Sequence, residues 1–164
     1  MGDPEFGWDI TRATPRMIER GWVYDDTYLT FESGFELIKN ILSRYPNLKI
    51  AFAQMCFMDD RLDFAAELLE RYPGMMLDMT LALPIYSDLS ATPEKSRAFL
   101  IKYQDRLIYG TDATSKPVGE ALVYNRKKVK VITHLLEGTG EKQIEDLLIQ
   151  GISLPEEVLK KVYA

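Results

Sequence analysis

A leucine, any residue, a basic residue and a tyrosine recur three times in this chain, and an apolar run follows each time. Leu42-Ser43-Arg44-Tyr45 leads into Leu48 to Met55, Leu69-Glu70-Arg71-Tyr72 into Met75 to Met79, and Leu100-Ile101-Lys102-Tyr103 into Leu107 to Tyr109. The three tyrosines are 27 and then 31 residues apart. One helix, one strand and two turns of a parallel βαβ unit take roughly 30 residues. The chain therefore repeats a helix-then-strand step, and an α/β fold with parallel strands is the expectation. In such folds ligands gather at the carboxyl ends of the strands. Here those ends are Gln54, Asp78 and Asp112.

Composition narrows the function classes. A chain of 164 residues is long enough for one domain with a real core. Its net charge of -5 gives no electrostatic reason to bind nucleic acid or an anionic membrane. No apolar run approaches the ~20 residues that span a bilayer. Residues 1 to 9 are acidic and polar, unlike a secretion signal, so a cytoplasmic location is expected. Cys56 is the only cysteine and excludes an intrachain disulfide.

Residues 1 to 30 read as irregular, because Gly2, Pro4, Gly7, Pro15 and Gly21 break any period. Trp8, Trp22, Tyr24 and Tyr28 supply large rings there, for a lid over a site or for a surface loop that plugs the edge of the core. A helix is expected from Glu32 to Arg44, with Thr30 or Ser33 as its cap. Leu48 to Met55 reads as a strand buried on both faces. Asp59 or Asp60 is the expected cap of a helix through Leu62 and Leu69. Residues 80 to 91 read as a second long loop. Thr92-Pro93-Glu94 starts a helix that runs to Tyr103. Helices are expected over 118–137 and from Glu141 to Gln150, the latter closed by Gly151. Ser153-Leu154-Pro155-Glu156 reads as a capping box before a last helix. The organisation is thus a loop over 1–30, repeated α-β units over 31–117 and C-terminal helices over 118–164, in one domain.

Asp112 is the leading chemical candidate. It ends a strand in Gly110-Thr111-Asp112, where a carboxylate holds a metal or a water, or else caps the following turn or helix. Asp78 ends another strand. With Asp59-Asp60 it imitates a phosphoacceptor receiver site, but too few residues separate Asp60 from Asp78 for the strand and helix a receiver needs there. His134 is the single histidine and lies on an expected helix, where a structural role outweighs a ligand role. The composition offers no Cys/His cluster, glycine-rich phosphate loop or Ser-His-Asp set.

Three blocks carry a resemblance: "LSRYPNLKIAFA" from Leu42, "RLDFAAELLERYPGMMLD" from Arg61 and "PEKSRAFLIKYQDRLIYGTD" from Pro93. In order and spacing they resemble the sixth, seventh and eighth strand segments of the amidohydrolase-2 family, metal-dependent TIM-barrel hydrolases and decarboxylases. "LPEEVLKKVYA" resembles that family's C-terminal helix, and "GDPEFGWD" the loop after its fifth strand. The resemblance implies a partial TIM barrel, half of the (β/α)8 fold. It also implies a small organic or carboxylate substrate and a divalent metal, commonly zinc, that polarises the substrate and activates water. Of the family's ligands only the Asp after strand eight has a counterpart, Asp112, as metal ligand or general base. Gln54 and Cys56 stand where the family has His and Gly after strand six. A full barrel takes about 250 residues, so the chain resembles the C-terminal half with its metal site stripped. The expectations are an amidohydrolase-like enzyme inactive as this isolated chain, or a non-catalytic barrel fragment. Either is expected to form a homo-oligomer through open sheet edges.

Overall fold

The computed structural model describes residues 15–19, 30–80, 83–111 and 119–164. The chain divides into two compact units, Met1–Asn47 and Leu48–Ala164. The first contains α1 (Pro15–Glu19) and α2 (Phe31–Arg44). Residues 15–19 thus form a helical turn inside the stretch expected to be irregular, with Pro15 at the position where a proline's missing N–H is harmless. The rest of that stretch before Thr30 lies outside the described residues. Helix α2 is capped as the sequence indicates: Thr30 is extended, and its Oγ1 accepts from the Ser33 backbone N–H at 3.2 Å. At its end the Tyr45 N–H reaches Ile41 O at 2.9 Å.

The second unit holds a three-stranded sheet of β1 (Ile50–Phe52), β2 (Met75–Asp78) and β3 (Leu107–Ile108), ordered β1-β2-β3. Both pairings are parallel, with Phe52 opposite Leu77 and Leu77 opposite Leu107. Helices α3 (Leu62–Arg71), α4 (Leu83–Ala91) and α5 (Pro93–Lys102) lie between the strands in sequence. Pleating sorts the sheet residues onto two faces. Met75, Leu77 and Leu107 are buried on one. Ala51, Met76, Asp78 and Ile108 share the other, where Met76 and Asp78 are half-buried and Ala51 and Ile108 exposed. Strand β1 was expected to be longer and buried on both faces. It is neither, because the chain leaves extended geometry at Ala53 and Ala51 faces solvent.

The repeated tetrapeptide has a physical basis. Each motif closes a helix, with its basic residue in the last turn, where the helix dipole favours a cation. Each tyrosine is the C-cap, and the cation lies over its ring: Arg44 at 5.8 Å from the Tyr45 centroid, Arg71 at 5.5 Å from Tyr72 and Lys102 at 5.1 Å from Tyr103. The Tyr103 hydroxyl also donates to Glu70 Oε1 at 2.9 Å, tying α5 to α3.

Four further expectations are corrected. Most of the stretch expected as the loop 80–91 is helix α4, whose Ile85, Tyr86 and Leu89 are buried along one face. Thr92 and Pro93 start α5 as expected. Ser96 Oγ donates to Leu89 O at 2.8 Å and so joins the two helices. Neither Asp59 nor Asp60 caps α3; the N-cap is Arg61, with no side-chain hydrogen bond.

The expected helix Glu141–Gln150 is an antiparallel hairpin of β4 (Thr139–Ile144) and β5 (Leu147–Ile152), so the C-terminal part is not all helical. Its turn is Glu145-Asp146, with Glu145 at φ 55°. Close backbone packing selects this over a helix. A Cβ on Gly151 would lie 2.2 Å from Gly138 O, so the two chain segments meet at a pair of glycines. Strand β5 packs on α4, α5 and α6 (Glu120–Glu137), and Ile149 and Ile152 of β5, like Ile132, Leu135 and Leu136 of α6, are buried. Last comes α7 (Glu156–Val162), whose expected capping box does not form: Ser153 has φ 50° and no side chain caps the helix. No described helix is long and apolar enough to cross a membrane.

Candidate functional site

The carboxyl ends of the three strands are where a parallel sheet presents groups to a ligand. Strand β1 ends in an unusual turn. Gln54, Met55, Cys56 and Phe57 all have φ between 48° and 55°, a left-handed stretch built without glycine. Such geometry costs about 1–2 kcal/mol per residue, so surrounding contacts must impose it. Fully buried Met55 and Met58 anchor it at either end, and the Met58 N–H closes on Met55 O at 3.2 Å. Cys56 lies inside this turn, and burial pushes its thiol up to about 11.

Strands β2 and β3 end together. Asp78 Oδ1 accepts from the Thr80 backbone N–H at 2.8 Å and from the Thr80 hydroxyl. This folded-back carboxylate lies over Gly110, where a Cβ would come within 2.0 Å of Thr80 Oγ1 and 3.1 Å of Asp78 Oδ1. A larger residue at Gly110 would have to displace the Thr80 side chain at the exit of β3. Tyr109, just before it, meets the Tyr163 ring edge-on at 4.8 Å, and Tyr163 donates to Glu137 Oε1 at 2.8 Å. Burial raises the pKa of both phenols, and the Glu137 carboxylate adds to the effect.

Asp112, the principal candidate, lies outside the described residues, with the rest of 112–118. The other candidates have other employment. Asp78 is engaged by Thr80. His134 Nε2 lies 3.2 Å from both Gly140 O and Ile149 O, so it serves as a donor that pins the hairpin to α6. Its ring fills the space a Cβ on Gly138 would need. Gln54 brings only an amide. Among the described residues no three His, Cys, Asp or Glu side chains converge where a metal ion would bind. The described residues do not fit a metal centre.

A buried carboxyl, Asp59, set against half-buried Asp88 escaped the sequence reading. Asp59 is 1% exposed, and neither of its oxygens has a donor at hydrogen-bond geometry. Burial, then contact with the Asp88 carboxyl on α4, pushes its pKa up to about 8; the charge of Asp60 adds to this, while its own backbone amide works the other way. A usable signal was present: Ile85, Asp88 and Leu89 are spaced as one helix face. Reading 80–91 as a loop hid it.

Comparison with the curated proteins and with the solved structures returned no match. Residues 1–164 match the model of a protein family described as Amidohydrolase. The match spans the whole chain and agrees with the strand-end blocks quoted above, so this protein belongs to the amidohydrolase-2 family.

Proposed function

We propose that this chain forms an arc of an amidohydrolase-type barrel and contributes Asp112, as metal ligand or general base, to a site that acts on a small organic or carboxylate substrate. The family's function is of the metal-dependent hydrolase or decarboxylase type. The observation that carries the barrel reading is the asymmetry of the sheet. Three parallel strands follow one another in sequence order, their Leu77 face is buried, and their Ala51–Met76–Ile108 face is open. A barrel wall has this asymmetry, with helices outside and the interior lined by alternate residues.

Asp112 follows Gly110 by two residues, beyond the crowded exit of β3. In this reading zinc is the metal of the complete site, and this chain alone binds it weakly and has no turnover. A zinc site takes three protein ligands, and Gln54 and Asp78 do not supply them. The test joins this chain, with Gln54→His, to the first five strands of a family member. Turnover of small carboxylates, by hydrolysis or carbon dioxide release, should then fall by orders of magnitude with Asp112→Asn. Equal turnover and unchanged melting would make Asp112 a structural cap.

A second reading is favoured by the same open face: a non-catalytic barrel fragment that associates with itself. Stoichiometric zinc in the purified, tag-free protein would rule this reading out and would also overturn the expectation of weak binding.

A further inference from the structure

We propose that Asp59 holds a proton against the Asp88 carboxyl and acts as a pH-sensitive clasp between the β1–α3 connection and helix α4. The geometry makes an ionised pair costly. Asp59 is 1% exposed, its two oxygens lack donors, and it meets the Asp88 carboxyl of a different element. A proton held on Asp59 gives its carboxyl a donor toward Asp88 and removes the repulsion between the two groups.

The charged groups that act on Asp59 are Asp88 from α4 and Asp60 from its own connection, and both oppose its charge. Asp60 has a cation of its own in Arg61, whose Nε lies 3.5 Å from Asp60 Oδ1. Asp59 also directly follows Met58, the buried anchor of the left-handed turn at Gln54–Phe57. That turn stores strain, so it needs its downstream end held. The clasp supplies the hold: α4 grips Asp59, and Asp59 keeps the chain from relaxing out of the turn. Losing the proton puts like charges at the grip and frees both segments.

The sign follows from linkage. A buried acid raised to about 8 in the native state and near 4 when unfolded keeps a proton that the unfolded chain has lost. Stability from this pair is therefore complete below about pH 4, declines as pH rises, and is gone above about pH 8. One proton changes the folding equilibrium by at most about tenfold per pH unit in that window.

The direct test is a carbon-13 NMR titration of the full chain labelled at the aspartate carboxyls, from pH 4 to 10. One resonance, lost in Asp59→Asn, should titrate near pH 8 and move to lower pH in Asp88→Asn. If every aspartate titrates below pH 5, the clasp does not exist. Hydrogen exchange supplies the conformational readout, expressed as protection factors so that intrinsic rates cancel. Protection over 53–59 and 85–91 should fall between pH 6 and pH 9 in the native protein and stay level in Asp59→Asn. An equal fall in both proteins would overturn the proposal. Should Asp59→Asn fail to fold, the native titration and the Asp88→Asn shift still decide it.

Discussion

Replacing Arg106 with methionine tests whether one side chain couples consecutive β/α steps. Arg106 closes the short turn Gln104–Arg106 just before β3. Its Nε donates to Met75 O at 2.7 Å, and its Nη2 donates to Tyr72 O at 2.8 Å and again to Met75 O. Nη1 reaches Leu69 O at 3.5 Å, too long to contribute much. The guanidinium thus gathers the end of α3, its cap and the start of β2. Hydrogen bonds from a charged donor are worth about 1.5–3 kcal/mol each. The site is half-buried, so the low end applies, and two good contacts give about 3 kcal/mol. Methionine keeps the apolar stem, which isolates the polar loss. For a chain of this length each kcal/mol shifts the melting temperature by about 2–4 °C, so the expected fall is roughly 6–12 °C. Arg106→Lys should recover about half of it, since an ammonium keeps the charge but not the planar fork. Urea unfolding of the three proteins, with equal slopes, measures this. A methionine variant within about 0.5 kcal/mol of the parent, the range of ordinary surface changes, would show that the carbonyls are served as well without the arginine.

Three further outcomes are expected. Gly151→Ala should destabilise the chain by at least about 2 kcal/mol, because its Cβ would sit 2.2 Å from the backbone carbonyl of Gly138 and backbone cannot step aside; normal melting would mean that the hairpin does not pack there. Cys56, with its thiol pushed up to about 11, should be only about one part in a thousand thiolate at pH 8. Its reaction with a disulfide reagent should be about tenfold slower or more in the native than in the urea-unfolded protein, the lower thiolate fraction outweighing the greater nucleophilicity of a more basic thiolate, and equal rates would sink that account. The chain should also self-associate, since β1 and β3 are edge strands among the described residues and Ala51 and Ile108 lie on an open face; a monodisperse monomer at micromolar concentration in sedimentation velocity is the contrary result.

What could be read in advance was whatever rests on local signals. The three Leu-x-basic-Tyr motifs located α2, α3 and α5 and the strand after each, β1 being shorter than expected, because dipole, cap and cation–π contact all act within a turn. Thr30 capped its helix for the same reason. Misreadings fell where distant residues decide. Ile144, Leu147 and Leu148 suit a helix face, yet Gly138 against Gly151 and His134 on two hairpin carbonyls select strands. Asp59 has the composition of a helix cap, but α4 covers it and makes it half of a carboxyl pair. The left-handed turn at Gln54 to Phe57 had no signal at all, since those residue types normally avoid positive φ. The site was less legible than the fold. Asp78 and His134 were weighed below Asp112, and their actual partners, Thr80 and the hairpin, are set by backbone geometry that no local pattern announces.

Strain and proton chemistry meet at the same strand end. Four non-glycine residues in left-handed geometry represent several kcal/mol by the usual scale, comparable to a large part of a domain's net stability. Such a turn persists only if its ends are fixed. Upstream it is fixed by the β1–β2 ladder, with Phe52 opposite Leu77. Downstream the fixed points are Met58 in the core and, in the clasp proposed above, Asp59 against Asp88. Removing the proton weakens one of these holds and leaves the ladder intact. Loosening should therefore start at Asp59 and spread back toward Gln54, stopping at β1. Gln54 stands where the family resemblance places a metal-ligating histidine. The clasp thus sits where it would govern the shape of the strand end, and the exchange experiment resolves it residue by residue: protection lost from 59 back to 54, and retained at 50–52.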